Sequence, residues 1–98
     1  MTINVKKEGS KLTLNPEGRI DTVTASEFSK AIEDNKEGVT ELVIDFEKLD
    51  YISSAGLRVL LTTQKYMSKV GSMKLIHVSD VIMDVFNITG FVDILTIE

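Results

Sequence analysis

The stretch Leu49-Asp50-Tyr51-Ile52-Ser53-Ser54-Ala55-Gly56-Leu57-Arg58-Val59-Leu60-Leu61 decides how this chain folds. Ahead of it runs Leu42-Val43-Ile44-Asp45-Phe46, a short apolar segment that reads as a buried strand. Behind Ser54 the apolar residues Leu57, Leu60 and Leu61 fall at helical spacing. Ser53 and Ser54 therefore stand where a helix begins. A hydroxyl at that position can accept hydrogen bonds from the free N–H groups of the first turn, and the simplest reading is that one of the two serines caps the helix. A phosphate attached there would meet the same donors and the positive end of the helix dipole. Gly56, in the first turn, costs the helix about 0.5–1 kcal/mol relative to alanine. Its presence predicts a close approach at that point, by another backbone segment or by a partner protein.

The flanking segments complete the outline. Ile3 and Val5, then Leu12 and Leu14, alternate with polar residues on either side of Glu8-Gly9-Ser10, the pattern of a β-hairpin. Asn15-Pro16-Glu17-Gly18 is expected to interrupt the second strand, which resumes at Arg19-Ile20 before a loop at Asp21-Thr22. Thr24 and Glu27 have capping-box spacing, so a first helix is expected over 24–36 with Thr24 as its cap and Gly38 closing it. Val39 to Phe46 is expected as a strand buried on both faces. The second helix is expected from Ser54 to Val70, with Leu57, Leu60, Leu61 and Met67 along one stripe and Gln64 its polar member. A strand over Met73 to Val78, a third helix capped by Ser79 and ended by Gly90, and a short last strand over Ile94 to Ile97 finish the chain. The strand–helix–strand order around the central motif predicts a parallel pair joined by a right-handed crossover. The fold expected is α/β: a single domain over 1–98, with a small mixed sheet of four or five strands and helices packed on it.

Composition narrows the function. The chain has 98 residues, 43% of them hydrophobic and 27% charged, in the range of an ordinary globular protein. A net charge of -4, with scattered basic residues and Lys6-Lys7 as the one basic pair, argues against nucleic acid as partner. The N-terminus becomes charged at Lys6 before a signal-peptide core could form, and no uncharged run approaches the length of a membrane helix. Cysteine is absent, which rules out disulfides, thiol nucleophiles and thiolate metal sites and fits a cytoplasmic protein. His77 is the single histidine and is expected in a structural or edge role on its strand. Ile52 stands where a G-x-S-x-G elbow would need its first glycine, and neither a phosphate-binding glycine loop nor HExxH or EF-hand spacing occurs. No enzyme activity, catalytic residue, cofactor or metal is expected. Asp21 is expected beside Ser54, because α/β sheets gather their sites at the carboxyl ends of adjacent strands.

Taken together, these segments resemble the STAS domain, the sulfate-transporter and anti-sigma-factor-antagonist fold, and specifically its free-standing bacterial anti-sigma factor antagonists. Gly18-Arg19-Ile20-Asp21-Thr22-Val23-Thr24-Ala25 and Tyr51-Ile52-Ser53-Ser54-Ala55-Gly56-Leu57 carry the match, and Ile88-Thr89-Gly90-Phe91 looks like the family's closing helix-to-strand corner. The resemblance implies partner switching: the unphosphorylated protein binds an anti-sigma factor that is also a serine kinase of the histidine-kinase-like ATPase fold. The kinase then phosphorylates a serine at the start of the second helix, and a serine phosphatase resets the switch. On this chain the acceptor position falls on Ser54, with Ser53 a second candidate where the family often has aspartate. Asp21, Thr22, Ser53, Ala55, Gly56, Leu57 and Arg58 are the expected partner-binding positions. The alternative is a scaffold or small-ligand-sensing STAS module, in which Ser54 is only a cap and a pocket near Asp21 holds a ligand.

Overall fold

A computed structural model describes residues 1–98. Strands β1 (Thr2–Glu8) and β2 (Lys11–Ile20) form the hairpin, antiparallel and turning at Gly9, whose φ of +61° is one that glycine adopts without strain. Helix α1 (Thr24–Asn35) leads to β3 (Glu41–Asp45) and β4 (Leu49–Ile52). Helix α2 (Ser54–Val70), β5 (Ser72–Ile76) and α3 (Asp80–Thr89) follow, then a single 3₁₀ turn at Phe91–Asp93. The sheet runs β1-β2-β3-β5, with β3 parallel to both β2 and β5, and β4 also parallel to β2. Helix α1 packs on α2 and β2, α2 on β5 and β4, and α3 on β4. Twenty buried residues form one core, centred on Leu12, Leu14, Ile20, Phe28, Ile44, Leu60, Leu75 and Phe86.

Five features depart from the sequence reading, the fifth being that β5 ends at Ile76, before His77. First, β2 is not interrupted: it runs ten residues, through Pro16 and Gly18. It changes partners part-way, pairing with β3 over Lys11–Leu14 and with β4 from Gly18 onward. Gly18 donates its N–H to Lys48 O at 3.0 Å, and Pro16, two residues earlier, presents the same edge where neither strand reaches. The missing N–H therefore breaks no ladder bond. Second, the fifth strand is β4, not Ile94–Ile97. The C-terminal segment makes only a parallel bridge, Leu75 with Ile97, with Leu75 N–H donating to Thr96 O and Glu98 N–H to Leu75 O, both at 2.9 Å.

Third, Thr24 does not cap α1. The residue before the helix, Val23, already has helical angles, and the carboxylate of Asp21 accepts from the N–H groups of Val23 and Thr24, both at 2.9 Å. Thr24 Oγ1 in return accepts from Asp21 N–H at 2.8 Å. The box is thus closed three residues earlier than the sequence spacing suggested. Fourth, the buried stripe of α2 is Gly56, Leu57, Leu60, Thr63 and Met67, with Leu61 and Gln64 half-buried beside it. Thr63 is tolerated inside because its hydroxyl donates to Val59 O, 2.7 Å away in its own helix. The parallel β3–β5 pair and the burial of Leu42, Val43 and Ile44 on consecutive positions follow the expected pattern.

Candidate functional site at the start of helix α2

The site is built where β2 and β4 end side by side. Ile20 and Ile52 are register partners, and Ser53 N–H donates to Ile20 O at 2.8 Å. The chain on each strand then turns into a helix within four residues, so the α1 and α2 entrances are neighbours. On the α2 side Ser53 is extended (φ -94°, ψ 176°) and its Oγ accepts from Gly56 N–H at 3.5 Å, a long cap bond. Ser53 is half-buried; Ser54 is the first residue of the helix and is exposed. The two serines thus occupy different positions, one facing the helix start and one facing solvent.

Gly56 explains how close the helix sits. A Cβ there would lie 2.6 Å from Ile52 Cγ1 and 2.7 Å from Ile20 Cγ2. The close approach inferred from the sequence is therefore real, but its cause is two core side chains of the chain itself, not another backbone and not a partner. The first turn of α2 rests directly on the ends of β2 and β4, and this seat turns Ser54 outward.

On the α1 side, Oδ1 of Asp21 is occupied by Val23 N–H, Thr24 N–H and, at 3.1 Å, the Thr24 hydroxyl. The Thr24 N–H bond holds the Asp21 carboxyl below its ordinary value of 3.8, helped by the Thr24 hydroxyl, Val23 N–H and the Arg19 charge and opposed by partial burial. Asp21 stays ionised and shapes its own turn. Thr22 and Val23 project from that turn, Val23 with 75% of its surface exposed. Ala55 is half-buried, Arg58 exposed, and Leu57 is a core residue with 6% exposure that still reaches the surface hollow described next.

That hollow, about 320 Å³, is lined by Ser54, Leu57, Arg58 and Leu61 of α2 together with Thr89 and Phe91. Thr89 and Phe91, expected only as part of the closing corner, thus join the site. Ile88, 86% exposed, extends the apolar surface of the same corner. A trace of this was visible: Ile88 is apolar at a position where the inward periodicity of Ile82 and Phe86 predicts a polar residue. A second hollow of about 240 Å³ lies between α1 and α2, bordered by Ile32, Lys36, Arg58, Val59 and Tyr66. Asp21 lines neither.

The STAS domain family model matches residues 2–98, nearly the whole chain. The chain belongs to the STAS domain family. The Anti-sigma-B factor antagonist of Bacillus subtilis is 31% identical over 99 residues, covering 100% of this STAS chain and 91% of that protein. BtrV of Bordetella bronchiseptica, described as a candidate anti-sigma factor antagonist, is 43% identical over 58 residues, and that match spans 58% of this chain and half of BtrV. Among solved structures, the Bacillus cell fate determinant SpoIIAA is similar in fold at 18% identity. Its unphosphorylated form, an anti-sigma factor antagonist, superposes with a TM-score of 0.73 over 99% of this chain and 87% of its own. Its phosphorylated form gives 0.76 over 99% and 91%. The sheet of five strands with three helices is the STAS architecture. No helix of this STAS domain is long and apolar enough to cross a membrane.

Proposed function

We propose that this STAS domain is an anti-sigma factor antagonist: a binding module that captures an anti-sigma factor through the surface around the start of α2 and is switched off by phosphorylation of Ser54. The observation that carries the reading is the exposed hydroxyl of Ser54 at the first position of an intact, separately capped helix. Because Ser53 supplies the cap, modification of Ser54 does not remove a structural bond. Added phosphate brings about -1.5 to -2 charges. Next to the helix N-terminus this is favourable within the molecule by roughly 0.3–2 kcal/mol. The fold is retained while the surface acquires a hydrated dianion, so the loss falls on the complex, where that charge must be desolvated or face acidic groups. A hundredfold loss of affinity corresponds to about 2.7 kcal/mol, within reach of one buried unpaired charge.

The full-length likeness to the Bacillus subtilis Anti-sigma-B factor antagonist supports the partner class, and SpoIIAA, solved in a phosphorylated form, supports the chemistry of the switch. The kinase would be the anti-sigma factor itself, of the histidine-kinase-like ATPase fold, with a serine phosphatase for the return step. Thr22, Val23, Arg58 and the rim formed by exposed Ile88 and Thr89 with half-buried Phe91 would meet the partner. Measuring affinity for the cognate anti-sigma factor with Ser54→Ala and Ser54→Asp tests this: the alanine variant binds like the parent and the aspartate variant at least tenfold more weakly. Equal affinities reject the switch.

A further inference from the structure

His77 is not part of the strand on which the sequence placed it. Strand β5 ends at Ile76, and His77 takes a left-handed backbone conformation, φ +56°, the one non-glycine residue of the chain with positive φ. The β3–β5 register pairs Asp45 with Ile76, and Phe46 N–H donates to Ile76 O at 3.0 Å, so the carboxyl ends of the two strands are locked together. The turn after β5 brings the ring back over the end of β3. His77 Nδ1 lies 2.9 Å from Asp45 Oδ1 and 3.6 Å from Glu47 Oε2. One ligand atom from each of the three residues falls within 4.8 Å of the others.

We propose that Asp45, Glu47 and His77 bind a divalent transition-metal ion of the Zn²⁺, Co²⁺ or Ni²⁺ class at the β3–β4 connection. The distances fit such an ion. Tetrahedral zinc with bonds of about 2.0–2.1 Å holds its ligand atoms about 3.3–3.4 Å apart. The observed 2.9 and 3.6 Å from His77 Nδ1 straddle that separation, so the two His77 contacts each move by less than about half an ångström, while the Asp45 and Glu47 oxygens lie within 4.8 Å of each other. Asp45 is the fixed member: its side chain is 16% exposed, and its Oδ1 accepts from Glu47 N–H at 2.9 Å through one lone pair while facing His77 Nδ1 with the other, the one that would ligate. Glu47, 64% exposed, is the member free to swing in. Water completes the coordination. Two carboxylates balance the ion's charge, and the imidazole selects against Ca²⁺ and Mg²⁺, which take oxygen ligands.

In the absence of an ion a hydrogen bond joins His77 to Asp45, with Glu47 Oε2 3.6 Å from the same ring nitrogen. The hydrogen bond from His77 to Asp45, the charge of Asp45 and, more weakly, that of Glu47 raise the His77 pKa above 6.5, opposed by slight desolvation. An incoming ion would take the place of that hydrogen bond at Nδ1. The bound ion ties the residue after β5 to the loop between β3 and β4. The sequence shows no ligand spacing because Asp45 and Glu47 lie about thirty positions before His77.

Isothermal titration of the full chain with ZnCl₂ at pH 7.5 tests the site. The expected result is saturable binding of one equivalent, undiminished by excess MgCl₂. His77→Gln and Glu47→Gln, both at exposed positions that leave the core untouched, should each weaken it by at least about tenfold. ¹⁵N-detected shifts should be confined to residues around Asp45–Glu47 and His77. No saturable heat at millimolar Zn²⁺, or binding that survives in both variants, overturns the proposal and leaves an ion pair in its place.

Discussion

Replacing Gly56 with alanine tests the seat on which the site depends. Helix propensity alone favours the change, by about 0.5–1 kcal/mol. Packing opposes it. The new methyl would stand 2.6 Å from Ile52 Cγ1, 2.7 Å from Ile20 Cγ2 and 3.1 Å from Ile52 Cδ1. Carbon atoms pack best at about 3.5–4.0 Å, so the first turn of α2 must lift by about 1 Å or both isoleucines must shift. Neither isoleucine has room, since Ile20 is 0% and Ile52 2% exposed and both belong to the main core. Overpacking of this kind costs typically about 1–3 kcal/mol. The difference is a net destabilisation of about 1 kcal/mol, which for a domain of this size lowers the melting temperature by about 4–8 °C. Urea denaturation followed by circular dichroism, with a thermal scan alongside, reads both quantities. Ile52→Ala removes the nearest clashing atoms, so the double variant should be less destabilised than the sum of the singles, with a coupling of about 0.5–3 kcal/mol. A Gly56→Ala protein more stable than the parent by the propensity gain would show that α2 does not rest on Ile20 and Ile52, and the outward aim of Ser54 would lose its cause.

Three further outcomes are expected. Ser53→Ala removes the α2 cap and costs about 0.5 kcal/mol, the low end for N-cap loss because its bond is long, whereas Ser54→Ala changes stability by less than about 0.5 kcal/mol in either direction; chemical denaturation of the pair separates the two roles. Asp21 is depressed below 3.8, so its contribution to stability is present above 3.8 and is lost as pH falls through the folded value; an NMR titration of the carboxyl carbon that gives 3.8 or higher contradicts the cap. His77 is raised above 6.5, so its pairing with Asp45 stabilises the fold fully below 6.5 and fades as pH rises through the folded value; in metal-free protein Asp45→Asn should bring the imidazole midpoint, read from the ring proton shifts, back toward 6.5.

Much of the site was legible in the residues. The Ser53-Ser54-Ala55-Gly56-Leu57 sequence marks a helix start by capping chemistry that acts within one turn, and Ser79 and Gly90 bracket α3 for the same local reason, with the Ser79 hydroxyl accepting from Ile82 N–H at 3.3 Å and Gly90 in the left-handed conformation. The misreadings fell where the deciding partner is distant. Pro16 breaks a strand only if its missing N–H faces a neighbour, and whether it does depends on where β3 stops and β4 begins. Leu49–Ile52 has too few residues to declare itself as a strand, and it became one because β2 offered it an open edge. Asp21 outcompeted Thr24 as cap because the turn out of β2 points its carboxylate at the first free N–H groups.

By itself, then, the order of residues determined most of the alternation of strands and helices and the presence of two hydroxyls at the mouth of α2, because periodicity and capping are short-range effects. Only the folded chain decided which serine faces solvent, that Gly56 is demanded by Ile20 and Ile52, that Thr89 and Phe91 join Ser54, and that His77 meets Asp45 and Glu47. Each of these depends on the register of parallel strands whose connections run through whole helices or long loops, and such register is set by packing of the complete core, not by any segment within it.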